Sequence, residues 1–339
     1  MLIVAGCAAH NPGDEPAPPW TDGVSTLAGA EKAGYIDGDR DVGRFSNPVN
    51  VAVGPDGRIY VADFENDKIR VVDGDGTSST LISQKGFAKP FAMTFLGGTM
   101  YVTTDNNNQG VHVFGKTGSV WKVDLVAKRA TEIVDSIGMP RGIVALADGR
   151  LVVSDYENHV IDLIDTAGNV TVLAGQAGVA GYADGTGAAA AFNIPYGMVL
   201  RSDGTLIVCD AGNNRLRTVS LAGAVSTIAG TGTAGFADGA MAGAMLSYPE
   251  GIAQDSHGTL YIADRNNHRV RRIASGMMDT IAGDGKAEYA DNDDPLASGF
   301  SGGLEGIAVL PDASWVYVAD GTGGMGLPSN RIRVVKMTK

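Results

Sequence analysis

The chain of 339 residues lacks several features that would place it in a common class of protein. Beyond its N-terminus it has no apolar run long enough to cross a bilayer as a helix. It also lacks long stretches with the 3.6-residue periodicity of amphipathic helices. Its 48 glycines and 9 phenylalanines are typical of many short strands joined by tight turns rather than of helices. Of its 2 cysteines, Cys209 takes the place of alanine in related segments, so we expect a small buried side chain and no bridge to Cys7.

Basic residues are in the minority. The chain has 26 Lys and Arg against 38 Asp and Glu, a net charge of −12, and an acidic surface repels phosphate backbones. General nucleic-acid binding is therefore not expected. Basic pairs do recur at one place in four segments, and we interpret them as internal partners of repeated aspartates, with a local basic face as the alternative. The pairs are Lys68/Arg70, Arg215/Arg217, Arg269/Arg271 and Arg331/Arg333.

No set of residues typical of catalysis is visible. There is no Ser/His/Asp order, no nucleophile elbow and no phosphate-binding glycine loop. The histidines do not form a predicted metal set, because His257 lies in a turn expected on the opposite face, and His159 and His268 fall in alternate segments. The sequence therefore predicts no catalytic residues and no metal among its five histidines, which are His10, His112, His159, His257 and His268.

What the chain does contain is one repeated pattern. From Tyr248 to Ile273, YPEGIAQDSHGTLYIADRNNHRVRRI indicates three short strands joined by polar turns. Clear copies begin at Asn47, Met139 and Ile194, and weaker copies at Lys89 and Gly303. The anchor positions, spaced 42, 50, 55, 54 and 55 residues apart, are Pro48, Pro90, Pro140, Pro195, Pro249 and Leu304. Periods of this length filled with short strands predict a β-propeller.

A fourth strand completes each repeat except the last. It is clearest as VTVLAG from Val170, VSTIAG from Val225 and MDTIAG from Met278. The corresponding segment for the last repeat lies at the other end of the chain, as VSTLAG over Val24 to Gly29. We therefore predict an all-β, six-bladed propeller of four-stranded blades over residues 24–339, its last blade closed by the N-terminal strand.

The motif P-x-G-[IV]-A followed by D-G-x-[LI]-Y-[VI]-A-D-x-x-N-x-[RK]-[IV]-R closely resembles the NHL repeat of β-propellers, over nearly the whole chain from about Val24. The resemblance implies the fold. It implies little about function, because members of the family include enzymes, nucleic-acid binders and protein-binding modules.

The connections between blades carry a second repeat, in which A-G precedes an aromatic residue and then D-G. These insertions and the D-x-x-N turns are expected on the same face, which we predict to be the binding surface. The insertion aspartates are Asp37, Asp184, Asp238 and Asp291. They are candidate ligand or calcium contacts, although Asp-Gly is also ordinary turn chemistry. The aspartates that end the second strands are interpreted as turn residues; they are Asp63, Asp105, Asp155, Asp210, Asp264 and Asp320.

Departures from the repeat are more informative about a site. The residue after each anchor begins the innermost strand and should face the central channel. The six blades have Val49, Phe91, Arg141, Tyr196, Glu250 and Glu305 there. We predict a small-molecule or ion site at the channel mouth formed by Phe91, Arg141, Tyr196, Glu250 and Glu305. The alternative is an internal pairing of Arg141 with Glu250 or Glu305.

An enzymatic function can be examined by comparing this position with two families of propeller enzymes. In the similar six-bladed peptidyl-hydroxyglycine lyases, zinc-binding histidines follow that proline, and none of the six positions here is histidine. Gluconolactonase-like propellers use a channel Glu with Asn and Asp around a divalent metal. Glu250-Gly251 or Glu305-Gly306 is similar only to the first element of that set. A metal-dependent lactonase or hydrolase is therefore the alternative function.

The N-terminal segment, residues 1–23, has its own character. Val4-Ala5-Gly6-Cys7 resembles the lipobox of bacterial lipoproteins, in which the cysteine is lipidated, and His10 to Pro19 is proline-rich like a tether. The residues before Cys7 include no Lys or Arg, so we interpret the segment as a truncated signal, with an accidental match as the alternative.

The sequence thus predicts a monomeric, non-enzymatic binding scaffold of the bacterial cell envelope, lipid-anchored through Cys7 and facing the periplasm or cell surface. Its partner would be a protein or a small-molecule ligand on the insertion face. No nucleic acid and no cofactor are expected, apart from the calcium considered above.

Overall fold

Six antiparallel sheets surround a central axis in the computed structural model, which describes residues 22–322 and 329–337. Tight turns separate short strands because β-branched and aromatic runs alternate with Asp, Asn and Gly. The strands are β1 (Gly23–Ala30), β2 (Pro48–Val53), β3 (Ile59–Asp63), β4 (Lys68–Val72), β5 (Ser78–Ile82), β6 (Pro90–Leu96), β7 (Thr99–Thr104), β8 (Ser119–Asp124), β9 (Arg129–Val134), β10 (Pro140–Ala145), β11 (Leu151–Asp155), β12 (Val160–Ile164), β13 (Val170–Gly175), β14 (Gly185–Thr186), β15 (Pro195–Leu200), β16 (Leu206–Asp210), β17 (Arg215–Val219), β18 (Ala224–Ala229), β19 (Gly239–Ala240), β20 (Pro249–Gln254), β21 (Leu260–Asp264), β22 (Arg269–Ala274), β23 (Met277–Ala282), β24 (Gly303–Val309), β25 (Trp315–Gly321) and β26 (Asn330–Lys336).

Each sheet is one blade, with its first strand nearest the axis. The first to fifth blades are β2 to β5, β6 to β9, β10 to β13, β15 to β18 and β20 to β23, and the closing blade has the order β24, β25, β26, β1. In the described residues, five single-turn 3₁₀ helices lie in the connections: Phe64–Asn66, Gly187–Ala189, Ala211–Asn213, Arg265–Asn267 and Pro295–Ala297. No helix in the described ranges is long and apolar enough to span a membrane.

Closure of the ring by β1 confirms the predicted architecture. β1 pairs antiparallel with β26, with Ser25 opposite Val334 and Ala28 opposite Ile332. The A-G pair of the repeat has a physical reason here: Gly29 has φ +92, and a Cβ there would lie 2.3 Å from the Asn330 carbonyl oxygen. Only glycine permits both this backbone conformation and this approach to β26.

The insertions fold back onto the outer edges of the blades. In the fourth and fifth blades they add a fifth strand, since β14 pairs with β18 and β19 with β23. The same insertions also contact the turns after the second strands: the Asn66 amide donates to the Gly34 carbonyl oxygen at 2.8 Å, and the Asn213 amide to that of Gly181 at 2.8 Å. The prediction that insertions and D-x-x-N turns share one face is confirmed.

A buried arginine holds each insertion to its blade. In the fifth blade, Arg271 is fully buried and pairs with Asp264 and Asp238, each at 2.7 Å. The same double ion pair recurs at Arg70 with Asp63 and Asp37, Arg217 with Asp210 and Asp184, and Arg333 with Asp320 and Asp291. The interpretation of these arginines as internal partners is thus confirmed, and one oxygen of each insertion aspartate accepts from an arginine.

Aromatic side chains cover these arginines. The Arg271 guanidinium carbon lies 4.9 Å from the centre of the Phe236 ring, and Arg269 lies 4.0 Å from the same ring. In the first blade, Lys68 and Arg70 flank Tyr35 in the same way, at 4.3 Å and 5.2 Å. The aromatic residue of the insertion motif therefore stacks on both members of the basic pair.

The third blade departs from this arrangement. Asp162 lies opposite Val153 in the register, the place that Arg217 takes opposite Val208 in the fourth blade. The connection from β9 to β10 is also short, residues 135–139, and lacks the insertion whose aspartate pairs with the arginine in other blades. Asp162 is 6% exposed, and burial together with the neighbouring Asp155 carboxylate raises its pKa to about 7.

Asp162→Asn is expected to remove a pH dependence of stability. Because the folded protein raises the pKa of Asp162 above its ordinary value of 3.8, the native protein should lose stability as pH rises from about 4 through about 7. The asparagine variant does not ionise, so its free energy of unfolding relative to the native protein should rise by about 3 kcal/mol over that interval. Urea denaturation at a series of pH values measures it.

The matched control is Asp203→Asn, because Asp203 is exposed and its pKa is lowered mainly by hydrogen bonding to Thr205. The free energy of unfolding of this control, relative to the native protein, should show no comparable rise over the same pH interval. Parallel stability curves for Asp162→Asn and the native protein would contradict a buried, uncompensated carboxyl group at position 162.

Candidate site at the channel mouth

The innermost strands bring the residues that follow the anchors together around the axis. Adjacent inner strands approach closely because the repeat has glycine two residues after most anchors. A Cβ on Gly251 would lie 2.3 Å from the Glu305 carbonyl oxygen, and one on Gly197 would lie 2.6 Å from that of Glu250. All six predicted residues line one cavity at the channel mouth: Val49, Phe91, Arg141, Tyr196, Glu250 and Glu305. We call them the inner ring.

A second ring of residues lies next to the inner ring at the channel mouth. In four blades the residue after the second strand donates its backbone N–H to the carbonyl of the residue before the anchor, as Tyr156 does to Met139 at 3.0 Å and Asp105 does to Lys89 at 3.1 Å. The residues at this position are Phe64, Asp105, Tyr156, Ala211 and Arg265, and in the closing blade the corresponding residue is Gly321, the last of β25. We call them the outer ring; Phe64, Tyr156 and Arg265 line the mouth cavity with Phe114 and Tyr248.

Asp105 is a correction to the sequence interpretation. Its distance from Pro90 made it the turn aspartate of the second blade, but β6 and β7 are joined by a shorter turn, and Thr104 lies opposite Pro90. In the first blade Asp63 lies opposite Pro48. Asp105 therefore moves one position on, into the outer ring. Thr104 takes the turn position and accepts a hydrogen bond at 2.8 Å from the indole N–H of Trp121, which stands at the arginine position of this blade.

Two ion pairs connect the rings. Both Arg141 terminal nitrogens donate to the Asp105 carboxylate, at 2.5 Å and 3.0 Å, and Arg265 donates to Glu250 Oε1 at 2.7 Å. The predicted alternative, in which Arg141 pairs directly with Glu250 or Glu305, is wrong, because the outer ring supplies the partners instead. Sequence reasoning missed Asp105 and Arg265, although position 265 differs from blade to blade as the inner ring does.

Glu305 has no such partner within the described residues. It is 7% exposed and Glu250 is fully buried, and Oε2 of each carboxylate is buried without a hydrogen-bond partner. Burial raises the pKa of Glu305 to about 7, against the lowering effect of the Arg265 and Arg141 charges. Burial and the Glu305 charge raise the pKa of Glu250 well above its ordinary value. Two side chains that line one cavity therefore each have a buried acceptor without a donor among the described residues.

Aromatic rings form much of the wall. Phe91 packs edge-on against Phe64 and Tyr196, with ring centres 6.1 Å and 5.7 Å apart, and Tyr196 packs on Tyr156 at 5.8 Å. Arg141 lies over Phe91 at 4.1 Å. Burial, with the nearby Glu250 and Glu305 charges, raises the pKa of the Tyr196 hydroxyl well above its ordinary value, so it stays a neutral donor.

The mouth cavity has a volume of about 210 Å³. A larger one of about 610 Å³ opens along the channel on the opposite side. Phe91, Arg141, Tyr196, Glu250 and Glu305 line both and so form the partition between them. All five predicted site residues are thus brought together at the predicted place.

Other predicted residues lie elsewhere. The insertion aspartates are on the outer edges, with their carboxylates on arginines, and Cys209 is buried. No group of three or more His, Cys, Asp or Glu side chains suited to a metal ion occurs in residues 22–322 and 329–337. Cys7, the predicted lipidation site, lies outside the described residues.

A closed ring of six four-stranded blades is a six-bladed β-propeller. This one has a ligand-sized cavity on its axis. Residues 45–72, 138–161 and 246–273 match the family model of the NHL repeat, which confirms the predicted NHL repeats. It is 26% identical over 287 residues to protein SUPPRESSOR OF QUENCHING 1 of Arabidopsis thaliana, covering 74% of this chain. It is 26% identical over 319 residues to human NHL repeat-containing protein 2, covering 89% of this chain. The matches span only 27% and 41% of the length of these two relatives.

Solved structures share the fold. An auxiliary nutrient-binding protein from Bacteroides thetaiotaomicron superposes with a TM-score of 0.71 at 18% identity, covering 92% of this chain and 75% of that one. A gluconolactonase from Xanthomonas campestris gives a TM-score of 0.58 at 12% identity, covering 93% and 89%. At such identities the likeness concerns architecture alone.

Proposed function

We propose that this chain is a non-catalytic binding propeller that takes a small ligand at the channel mouth, on the face that carries the insertions. The observation that carries the proposal is a pair of buried carboxylate oxygens without a donor in the described part of the chain, on Glu250 and Glu305, which line a cavity of about 210 Å³ with aromatic walls. Leaving such acceptors without a donor costs about 1–3 kcal/mol each. A donor-bearing ligand would recover that energy.

The wall chemistry supports binding rather than turnover. Apolar and aromatic walls with a few convergent polar groups are typical of small-molecule sites. Asp105 and Glu250 are each hydrogen-bonded by an arginine, which fixes these side chains in place rather than leaving them free to approach a reacting group. Glu305 is the remaining candidate for an acid or base, and on it rests the alternative of a lactonase-like enzyme.

An envelope location is the second part of the proposal. Bacterial propellers named as auxiliary nutrient-binding proteins share the fold, and the lipobox-like Val4 to Cys7 segment precedes a proline-rich tether. We propose an extracytoplasmic protein, anchored through Cys7. Labelling of the native protein with a radioactive fatty acid, lost on Cys7→Ser, is the expected result. Labelling that is absent in the native protein would overturn the anchor.

Ligand binding is tested by measuring the thermal shift of the protein with each member of a panel of sugars, amino acids and amines. A binder should raise the melting temperature, and Tyr156→Ala should weaken its Kd roughly tenfold, because this ring lines the cavity. Tyr182→Ala is the matched control, since Tyr182 is a half-exposed insertion residue stacked on Arg215 at 3.9 Å. It should leave the Kd unchanged.

Two results would overturn the proposal. Equal loss of binding in both tyrosine variants would move the ligand away from the mouth. Chemical conversion of the ligand, or hydrolysis of an added lactone that is abolished by Glu305→Gln, would make the protein an enzyme.

A further inference from the structure

We infer that the ligand of the channel mouth is a small organic cation whose primary ammonium group is held between Glu250 and Glu305; this rests on the binding function proposed above. The first step is a count of charge. The two rings contain the carboxylates of Asp105, Glu250 and Glu305 but only the guanidinium groups of Arg141 and Arg265. Asp105 and Glu250 each face one guanidinium. With all three carboxyl groups ionised, one negative charge is in excess at a site where all three are buried, and a bound cation would favour that ionised state.

Hydrogen bonding gives the second step. Glu250 Oε2 and Glu305 Oε2 are both buried acceptors without a donor among the described residues. An ammonium group has three donor hydrogens and no acceptor, so one nitrogen can serve both oxygens and still donate once more. A quaternary ammonium has the charge but no donor. A neutral hydroxyl has a donor but leaves the excess charge uncompensated in a buried place.

The aromatic walls give the third step. Ring faces attract cations, and here they already do so: Arg141 lies over Phe91 at 4.1 Å and over Tyr156 at 5.6 Å, and Arg265 lies over Tyr248 at 5.8 Å. A ligand ammonium entering beside these residues meets the same electrostatic environment. Its apolar body would pack against Phe64 and Tyr156, both of which line the cavity. The net charge of −12 also concentrates cations near the protein.

The test compares two probes of the same shape on the native chain by titration calorimetry. 2-Phenylethylamine is cationic at a pH of about 8, and 2-phenylethanol replaces its ammonium by a neutral hydroxyl. The amine is expected to bind at least about tenfold more tightly than the alcohol, because only the amine compensates the Glu305 charge. This comparison requires no variant, so it stands even if a substitution at the partition fails to fold.

A variant then locates the effect. Glu305→Gln keeps the shape of the side chain and removes its charge, and it should weaken amine binding by about tenfold or more while leaving the alcohol unchanged. Glu288→Gln is the control, since Glu288 is an exposed insertion residue paired with Lys286. Tetramethylammonium, a cation without donors, should bind more weakly than the amine.

The outcomes separate this inference from the proposed function. An alcohol that binds as tightly as the amine, or amine binding that survives Glu305→Gln, overturns the inference. A sugar that binds at the mouth and is lost with Tyr156→Ala would also overturn the inference, while the binding function stands. If no small molecule of any class binds, both fall.

Discussion

Replacing Arg271 by methionine is expected to destabilise the protein by about 3–5 kcal/mol, whereas the same change at the next residue, Arg272, should cost less than about 1 kcal/mol. Arg271 is fully buried between Asp264 and Asp238. Its removal leaves the buried Asp264 carboxylate without the charge that compensates it. Arg272 instead pairs with Asp279 at the surface, where the side chains are 35% and 45% exposed, and water replaces that partner at little cost.

Guanidinium denaturation of the two variants measures this difference. Methionine has nearly the length of the arginine stem, so the comparison isolates the charge and its hydrogen bonds from the packing of the methylenes. A second substitution, Asp264→Asn in the Arg271→Met background, should recover part of the loss by removing the unpaired charge. Equal destabilisation by Arg271→Met and Arg272→Met would show that the buried network contributes no more than a surface pair.

The buried arginines of the blades contribute to stability and also fix the turns that position residues of the site. Each one ties an insertion to the second strand of its blade, as Arg217 does through Asp184 and Asp210. The end of each second strand leads directly into the outer ring. A rigid turn at this point sets where Phe64 or Arg265 stands relative to the axis. We therefore expect Arg271→Met to affect the mouth as well, through the position of Arg265.

The fold could be predicted from sequence because its evidence is repeated. Six copies of one pattern specify strand, turn and period together, and the missing fourth strand at the C-terminus identifies the N-terminal strand as its replacement. The inner ring could be predicted for the same reason: a residue at a fixed distance from the anchor has a fixed place, and Phe91, Arg141 and Glu305 depart from the repeat there.

The rest depended on register and on contacts between blades. Asp105 has the expected distance from Pro90, and only the shorter turn between β6 and β7 moves it into the outer ring to meet Arg141. The spacing of residues in the sequence does not predict that Asp105 of the second blade pairs with Arg141 of the third. Asp162 is a departure that the sequence shows, since it stands where four of the sister blades have arginine. The sequence does not show that the Asp162 carboxyl group is buried beside Asp155, because this depends on the short connection before β10 and on the burial of Asp155.

The seam at which the two ends of the chain meet offers a second large effect. In an antiparallel strand the N–H and C=O of one residue point to the same side, and both groups of Val24 bond to Asn292, at 2.9 Å and 3.0 Å. Val24 therefore faces Val335 across the seam as a non-hydrogen-bonded pair, in which Cα atoms lie about 4.5 Å apart. That separation suits a disulfide.

A Val24→Cys/Val335→Cys double variant, made with Cys7→Ser to avoid exchange, is expected to form a bridge across the seam. Because the bridge closes nearly the whole ring as one loop, the oxidised protein should exceed its own reduced form in free energy of unfolding by about 3–5 kcal/mol. Denaturation with and without reductant measures the difference. The control pair, Val24→Cys with Val334→Cys, is one residue out of register, so its side chains point to opposite faces of the sheet. Bridging in the control pair, or none in the matched pair, would contradict a ring closed by β1 against β26.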